Sequence, residues 1–125
     1  MKESVFQFLK SPKAQRVGFW IGFLIISFAT LLPADELPPV PGGDKLHHIV
    51  GFGGWALLCC LGPIKRFYRF SVLIILWGGA IELIQPYVNR YGEWLDFFAD
   101  AAGVVIVLFA TLLLKTLKKY KERMA

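Results

Sequence analysis

Asp44, Lys45 and His48 in the stretch DKLHH, Glu82 and Gln85 in ELIQ, and Arg90, Asp96 and Asp100 in RYGEWLDFFAD are the residues whose types and spacing could do chemistry. On a helix, residues four apart share a face, so Asp44 projects with His48 and Asp96 with Asp100; Glu82 and Gln85, three apart, make a similar pair. The imidazole and the carboxylates of Glu82, Asp96 and Asp100 are donors able to hold a divalent cation, with Arg90 beside a phosphate. No metal-ligand spacing of known specificity is present, however, so no metal and no cofactor is assigned. The sequence also lacks a phosphate-binding glycine loop, a G-x-S-x-G elbow and an HExxH helix.

The elements that must position these residues are strongly apolar. Of 125 residues, 56% are hydrophobic, and the mean hydropathy is +0.55, which is more than a small soluble core needs. Four apolar blocks stand out, Val17 to Pro33, His48 to Leu61, Phe70 to Ile84 and Leu95 to Leu114. The second and third approach the roughly 20 residues of a spanning helix only if polar residues at one end belong to the same helix. The expected fold is therefore all-α, a single-domain integral membrane four-helix bundle over residues 1–125, with helices at about 17–34, 44–62, 69–86 and 94–115. The first block reads as a retained helix and not a cleaved leader, because its one small-x-small triplet, Ser27 to Ala29, lies inside the apolar run. The adjacent Cys59 and Cys60 are poor disulfide partners and read as packing residues. The first ten residues suit either an interfacial helix or a frayed tail.

Charge gives the orientation. Basic residues gather before the first helix (Lys2, Lys10, Lys13, Arg16), between the second and third (Lys65, Arg66, Arg69) and after the fourth (Lys115, Lys118, Lys119, Lys121, Arg123), which accounts for twelve of the 14. Cytoplasmic loops retain positive charge during insertion, so both termini and the middle loop are expected to be cytoplasmic. Lys45 and Arg90 fall on the outer side, with seven of the nine acids. Clusters that flank apolar helices suit anionic lipid headgroups, and no nucleic-acid motif is present. The connection PADELPPVPGGD reads as a stiff, turn-rich outer loop that delivers Asp44 as a helix cap. Pro86 ends the third helix, and Tyr87, Tyr91 and Trp94 suit the headgroup layer.

His48, Glu82 and Asp100 each lie roughly 5 to 10 Å below the outer boundary of their helices at 1.5 Å per residue. Charged groups at such depth face the bundle interior or a water-filled cavity. Asp44, Lys45, His48, Glu82, Gln85, Arg90, Asp96 and Asp100 are thus expected to converge on one outward-opening polar pocket, with small residues such as Gly53, Gly78 and Gly103 allowing close helix approach. Arg90 is the expected partner of Asp96 and Asp100, its planar fork gripping a carboxylate.

The motifs DKLHH, ELIQ and RYGEWLDFFADAAG resemble, in order, the D-K-x-x-H, E-x-x-Q and R then D-x-x-x-N/D-x-x-G signature of the VanZ-like family of bacterial membrane proteins. The resemblance spans about residues 17–114, and it departs at position 100, which is asparagine in many members and aspartate here. It implies a multi-pass protein of the bacterial cytoplasmic (inner) membrane and cell envelope. The family takes its name from a protein associated with antibiotic resistance, at a low level, to teicoplanin. Three readings stay open. One is a binding module whose pocket takes a lipid-linked cell-wall precursor or a lipoglycopeptide and modulates glycopeptide sensitivity. The others are a metal-assisted enzyme acting on a lipid headgroup and a purely structural polar network.

Overall fold

The structure, a computed structural model, describes residues 2–33 and 44–125, so the proline-rich outer connection expected before Asp44 lies outside the described residues. The described chain is all-α, with five α-helices, α1 (Lys2–Leu9), α2 (Pro12–Leu31), α3 (Asp44–Leu57), α4 (Ile64–Ile84) and α5 (Trp94–Met124), and a 3₁₀ turn at Gln85–Val88. Ser11 joins the first two helices. Its hydroxyl accepts from the Ala14 N–H at 3.1 Å and donates to the Phe8 carbonyl at 2.6 Å, and Pro12 follows at the position where a missing N–H costs nothing.

Three stretches, Pro12–Leu31, Ile64–Val88 and Trp94–Met124, are long and apolar enough to cross a membrane, with mean hydropathies of 1.4, 1.6 and 2.4 over an apolar 18-residue segment of each. Their large side chains point outward to an unusual extent. Leu24 and Phe28 on α2, Leu76 and Leu83 on α4, and Ile106 and Phe109 on α5 are all exposed. A soluble protein of this size would not expose so continuous an apolar surface, and that exterior suits a multi-pass membrane protein.

The helix limits depart from expectation at several ends. α3 stops at Leu57 instead of continuing to about 62, and its 14 residues give about 21 Å of helix at 1.5 Å per residue, short of a bilayer core of about 30 Å. The chain tightens just past that end, where the N–H groups of Leu58, Cys59 and Cys60 turn to carbonyls three residues back. Gln15, buried on α2, then draws in the freed carbonyls, its Nε2 donating to Cys59 O at 3.0 Å and Pro63 O at 3.1 Å. α5, by contrast, runs nine residues past 115, as a charged, exposed extension.

α2 to α5 pack side by side, with consecutive helices antiparallel. α2 presents Gln15, Gly18, Phe19, Gly22 and Ile26 inward, one face of a 3.6-residue period. A Cβ at Gly18 would fall 2.2 Å from Leu58 O and one at Gly22 2.1 Å from the Trp55 ring, so the glycine pair is a packing seam against α3 and the turn after it. α3 and α5 are parallel and make the most extensive contact in the molecule. They meet at Gly53 and Gly103, where a Cβ at Gly103 would stand 2.3 Å from Ile49 O. The apolar core between the helices includes Phe52, Trp55, Phe67, Ile74, Ile81 and Val104.

Candidate functional site

The polar residues gather at one end of the helices. The first turns of α3 bring Asp44, Lys45 and His48, the end of α4 brings Glu82 with Gln85 just beyond it, and the start of α5 brings Asp96 and Asp100. Parallel packing of α3 on α5 sets the register. Lys45 lies level with Asp96 and His48 with Asp100, so that each turn of one helix meets the corresponding turn of the other. His48, Glu82, Gln85, Asp96 and Asp100 are all buried.

His48 is held between carboxylates on both sides. Its Nδ1 is 2.6 Å from Asp100 Oδ1, while Nε2 is 3.4 Å from Asp96 Oδ2 and 3.8 Å from Asp44 Oδ1. The Lys45 ammonium donates to Glu93 Oε2 at 2.7 Å and to Asp96 Oδ1, and lies 3.5 Å from Asp44 Oδ2. Glu82 is oriented by the connecting loop. A Cβ at Gly92 would be 2.5 Å from Glu82 O, so only glycine lets the loop come this close, and the next N–H, that of Glu93, donates to Glu82 Oε2 at 2.8 Å. Among the described residues, three oxygens at this end are without a hydrogen-bond partner, Glu82 Oε1, Gln85 Oε1 and Asp100 Oδ2. Buried polar atoms are normally satisfied.

Arg90 is not where the spacing argument puts it. Its Nη1 donates to Ala29 O at 3.1 Å and Leu32 O at 2.9 Å, at the C-terminal end of α2, and Lys45 supplies the cation that contacts Asp96. Gln85 likewise ties α4 to α2, its Nε2 donating to Thr30 O at 3.0 Å. Arg90 and Gln85 nevertheless line the cavity at this end, with Asp44, His48, Tyr91, Glu93 and Asp96. The cavity is half-open, with a volume of about 200 Å³. That is room for several waters or a phosphate-sized group, whereas sites for drug-sized ligands occupy about 300–1,000 Å³.

Two residues that make polar contacts between elements were not singled out by spacing. Glu93 lies on a loop, where helical periodicity gives no signal; only its place among the outer acids marked it. Gln15 is at the opposite end, where its Oε1 accepts from Arg66 Nε at 3.0 Å, and a lone glutamine in a basic, amphipathic stretch carries no motif. Among the described residues, two sets of donors are arranged closely enough to share an ion, Asp44 with His48 and Asp96, and His48 with Glu82 and Asp100. No protein-family model, no curated protein and no solved structure matches this chain.

Proposed function

We propose that the chain is a VanZ-like, multi-pass protein of the bacterial cytoplasmic membrane, with both termini cytoplasmic and α3 completing a four-helix bundle. Its outer polar pocket binds the headgroup of a membrane lipid or of a lipid-linked envelope precursor. The observation that carries the reading is the half-open cavity bordered by Arg90 and His48 at the end opposite the basic clusters. A network made only for stability would close on itself, yet Glu82, Gln85 and Asp100 each keep a buried oxygen without a partner among the described residues. The cavity volume suits a phosphate or amide headgroup and excludes the body of a lipoglycopeptide. Any effect on teicoplanin-type sensitivity would then act through the lipid and not through capture of the antibiotic.

The test is native mass spectrometry of the full chain in detergent with phosphatidylglycerol, phosphatidylethanolamine and an undecaprenyl-linked precursor. One lipid retained per chain, and lost in Arg90→Ala with the protein still folded, is the expected result. Retention of all three to the same extent by wild type and variant would refute a headgroup site.

A further inference from the structure

His48, Glu82 and Asp100 meet where α3, α4 and α5 come together, and each is at least nine-tenths buried. One imidazole nitrogen, one Glu82 oxygen and one Asp100 oxygen all lie within 4.8 Å of one another. Glu82 Oε1 and Asp100 Oδ2 have no hydrogen-bond partner among the described residues. The nearby permanent cations are engaged elsewhere, Lys45 with Glu93 and Asp96, Arg90 with the carbonyls of Ala29 and Leu32. Two buried carboxylates are thereby left to share one imidazole, an arrangement that burial disfavours unless further positive charge is present.

We propose that His48, Glu82 and Asp100 are the ligands of one divalent first-row transition-metal ion. The inference goes beyond the headgroup reading and does not rest on it. Two carboxylates and a neutral imidazole carry two negative charges, so a divalent ion makes the buried unit neutral. Imidazole among the donors favours Zn²⁺ over Ca²⁺ and Mg²⁺, which prefer oxygen alone, and the two carboxylates also suit Mn²⁺. Metal-ligand distances of about 2.0–2.2 Å place donor atoms no more than about 4.4 Å apart, so the present spread closes with small side-chain movements. When Nδ1 binds the ion, its hydrogen bond to Asp100 is replaced and the ring proton resides on Nε2. Asp96 Oδ2, 3.4 Å away, is there to accept it, the carboxylate partner that metal-bound histidines commonly have. Gly78 keeps the space beside Asp100 clear, since a Cβ there would stand 3.0 Å from Asp100 Oδ2.

The full-length protein, purified in detergent and stripped with a chelator, is titrated with Zn²⁺, Mn²⁺ and Ca²⁺ by calorimetry, and its thermal unfolding is followed with and without each ion. One Zn²⁺ or Mn²⁺ should bind per chain and raise the unfolding temperature, with Ca²⁺ binding far more weakly. Glu82→Gln and Asp100→Asn should each weaken Zn²⁺ binding by about tenfold or more, with folded yield retained. Loss of binding in Asp44→Asn with full binding in Glu82→Gln would move the ion to Asp44, His48 and Asp96 and overturn this assignment. Absence of stoichiometric Zn²⁺ or Mn²⁺ binding by folded wild-type protein also overturns it, whatever the variants do. Lipid retention is measured on the same stripped sample, so either reading can fail alone.

Discussion

Arg90 reaches α2 because Asn89, at φ 57°, turns the chain left-handed immediately before it, a conformation asparagine tolerates better than most residues. The Arg90 N–H then closes on Gln85 O at 2.9 Å, and the side chain meets the last carbonyls of α2, where a helix dipole favours positive charge. A bidentate grip on a carboxylate would make lysine a poor substitute. Both observed bonds come from one nitrogen, so Arg90→Lys should keep most of the stability, while Arg90→Ala should lose about 1–2 kcal/mol. Denaturant unfolding in detergent measures the difference, and equal losses in the two variants would point back to fork geometry. Lys45 is the cation whose removal should disturb the site most directly, since Asp96 is buried and Lys45 is its only permanent cationic partner among the described residues. Lys45→Ala should therefore lower stability more than Lys45→Arg, as read by the same unfolding.

Helix seams in this protein are set by where glycine permits contact. Trp55 is fixed by its own bond, Nε1 donating to Phe19 O at 2.9 Å, and its ring occupies the space a side chain at Gly22 would need. Gly22→Ala should cost about 1–3 kcal/mol through overpacking. Gly54 lies on the same helix as Trp55 but faces open space, with nothing within 4 Å of a Cβ, so Gly54→Ala should be neutral or gain about 0.5–1 kcal/mol from helix propensity. The pair is compared by unfolding midpoint, and similar losses at both positions would contradict the seam. Gly103→Ala presses on the backbone of α3 at Ile49 O. It should part α3 from α5, lowering unfolding stability and, if the ion site is as proposed, Zn²⁺ affinity with it.

At the scale of the molecule, the two ends carry different polar sets. One end brings Gln15 and Arg66 together beside Cys59 and Pro63, while the other holds the carboxylates, Lys45 and Arg90. With Cys59 and Cys60 replaced by alanine, a single cysteine at exposed Tyr87 should react in intact cells with a membrane-impermeant reagent, and one at Lys65 should be protected. The reverse pattern would invert the topology inferred from the basic residues. α3 does not reach spanning length by itself. It packs along α2 and α5, and its first turns carry Asp44, Lys45 and His48 into the polar end.

The sequence by itself determined which stretches are apolar helices, that carboxylates and an imidazole lie on shared faces near one end of them, and that basic charge collects at the other ends. These are local properties, since hydropathy and a 3.6-residue period are read along one segment without knowledge of its neighbours. Tertiary structure alone decided which segment each face meets. The parallel register of α3 on α5 gives Asp96 to Lys45 and Asp100 to His48, Gly92 lets a loop residue, Glu93, join them, and Arg90 is turned away to α2. The end of α3 at Leu57 was equally out of reach, because nothing near Cys59 or Pro63 in the chain reveals that Gln15, 44 and 48 residues earlier, will take their carbonyls. Partner choice depends on axial offset and on which helices are adjacent, and those follow from packing at glycine contacts distributed over the whole chain.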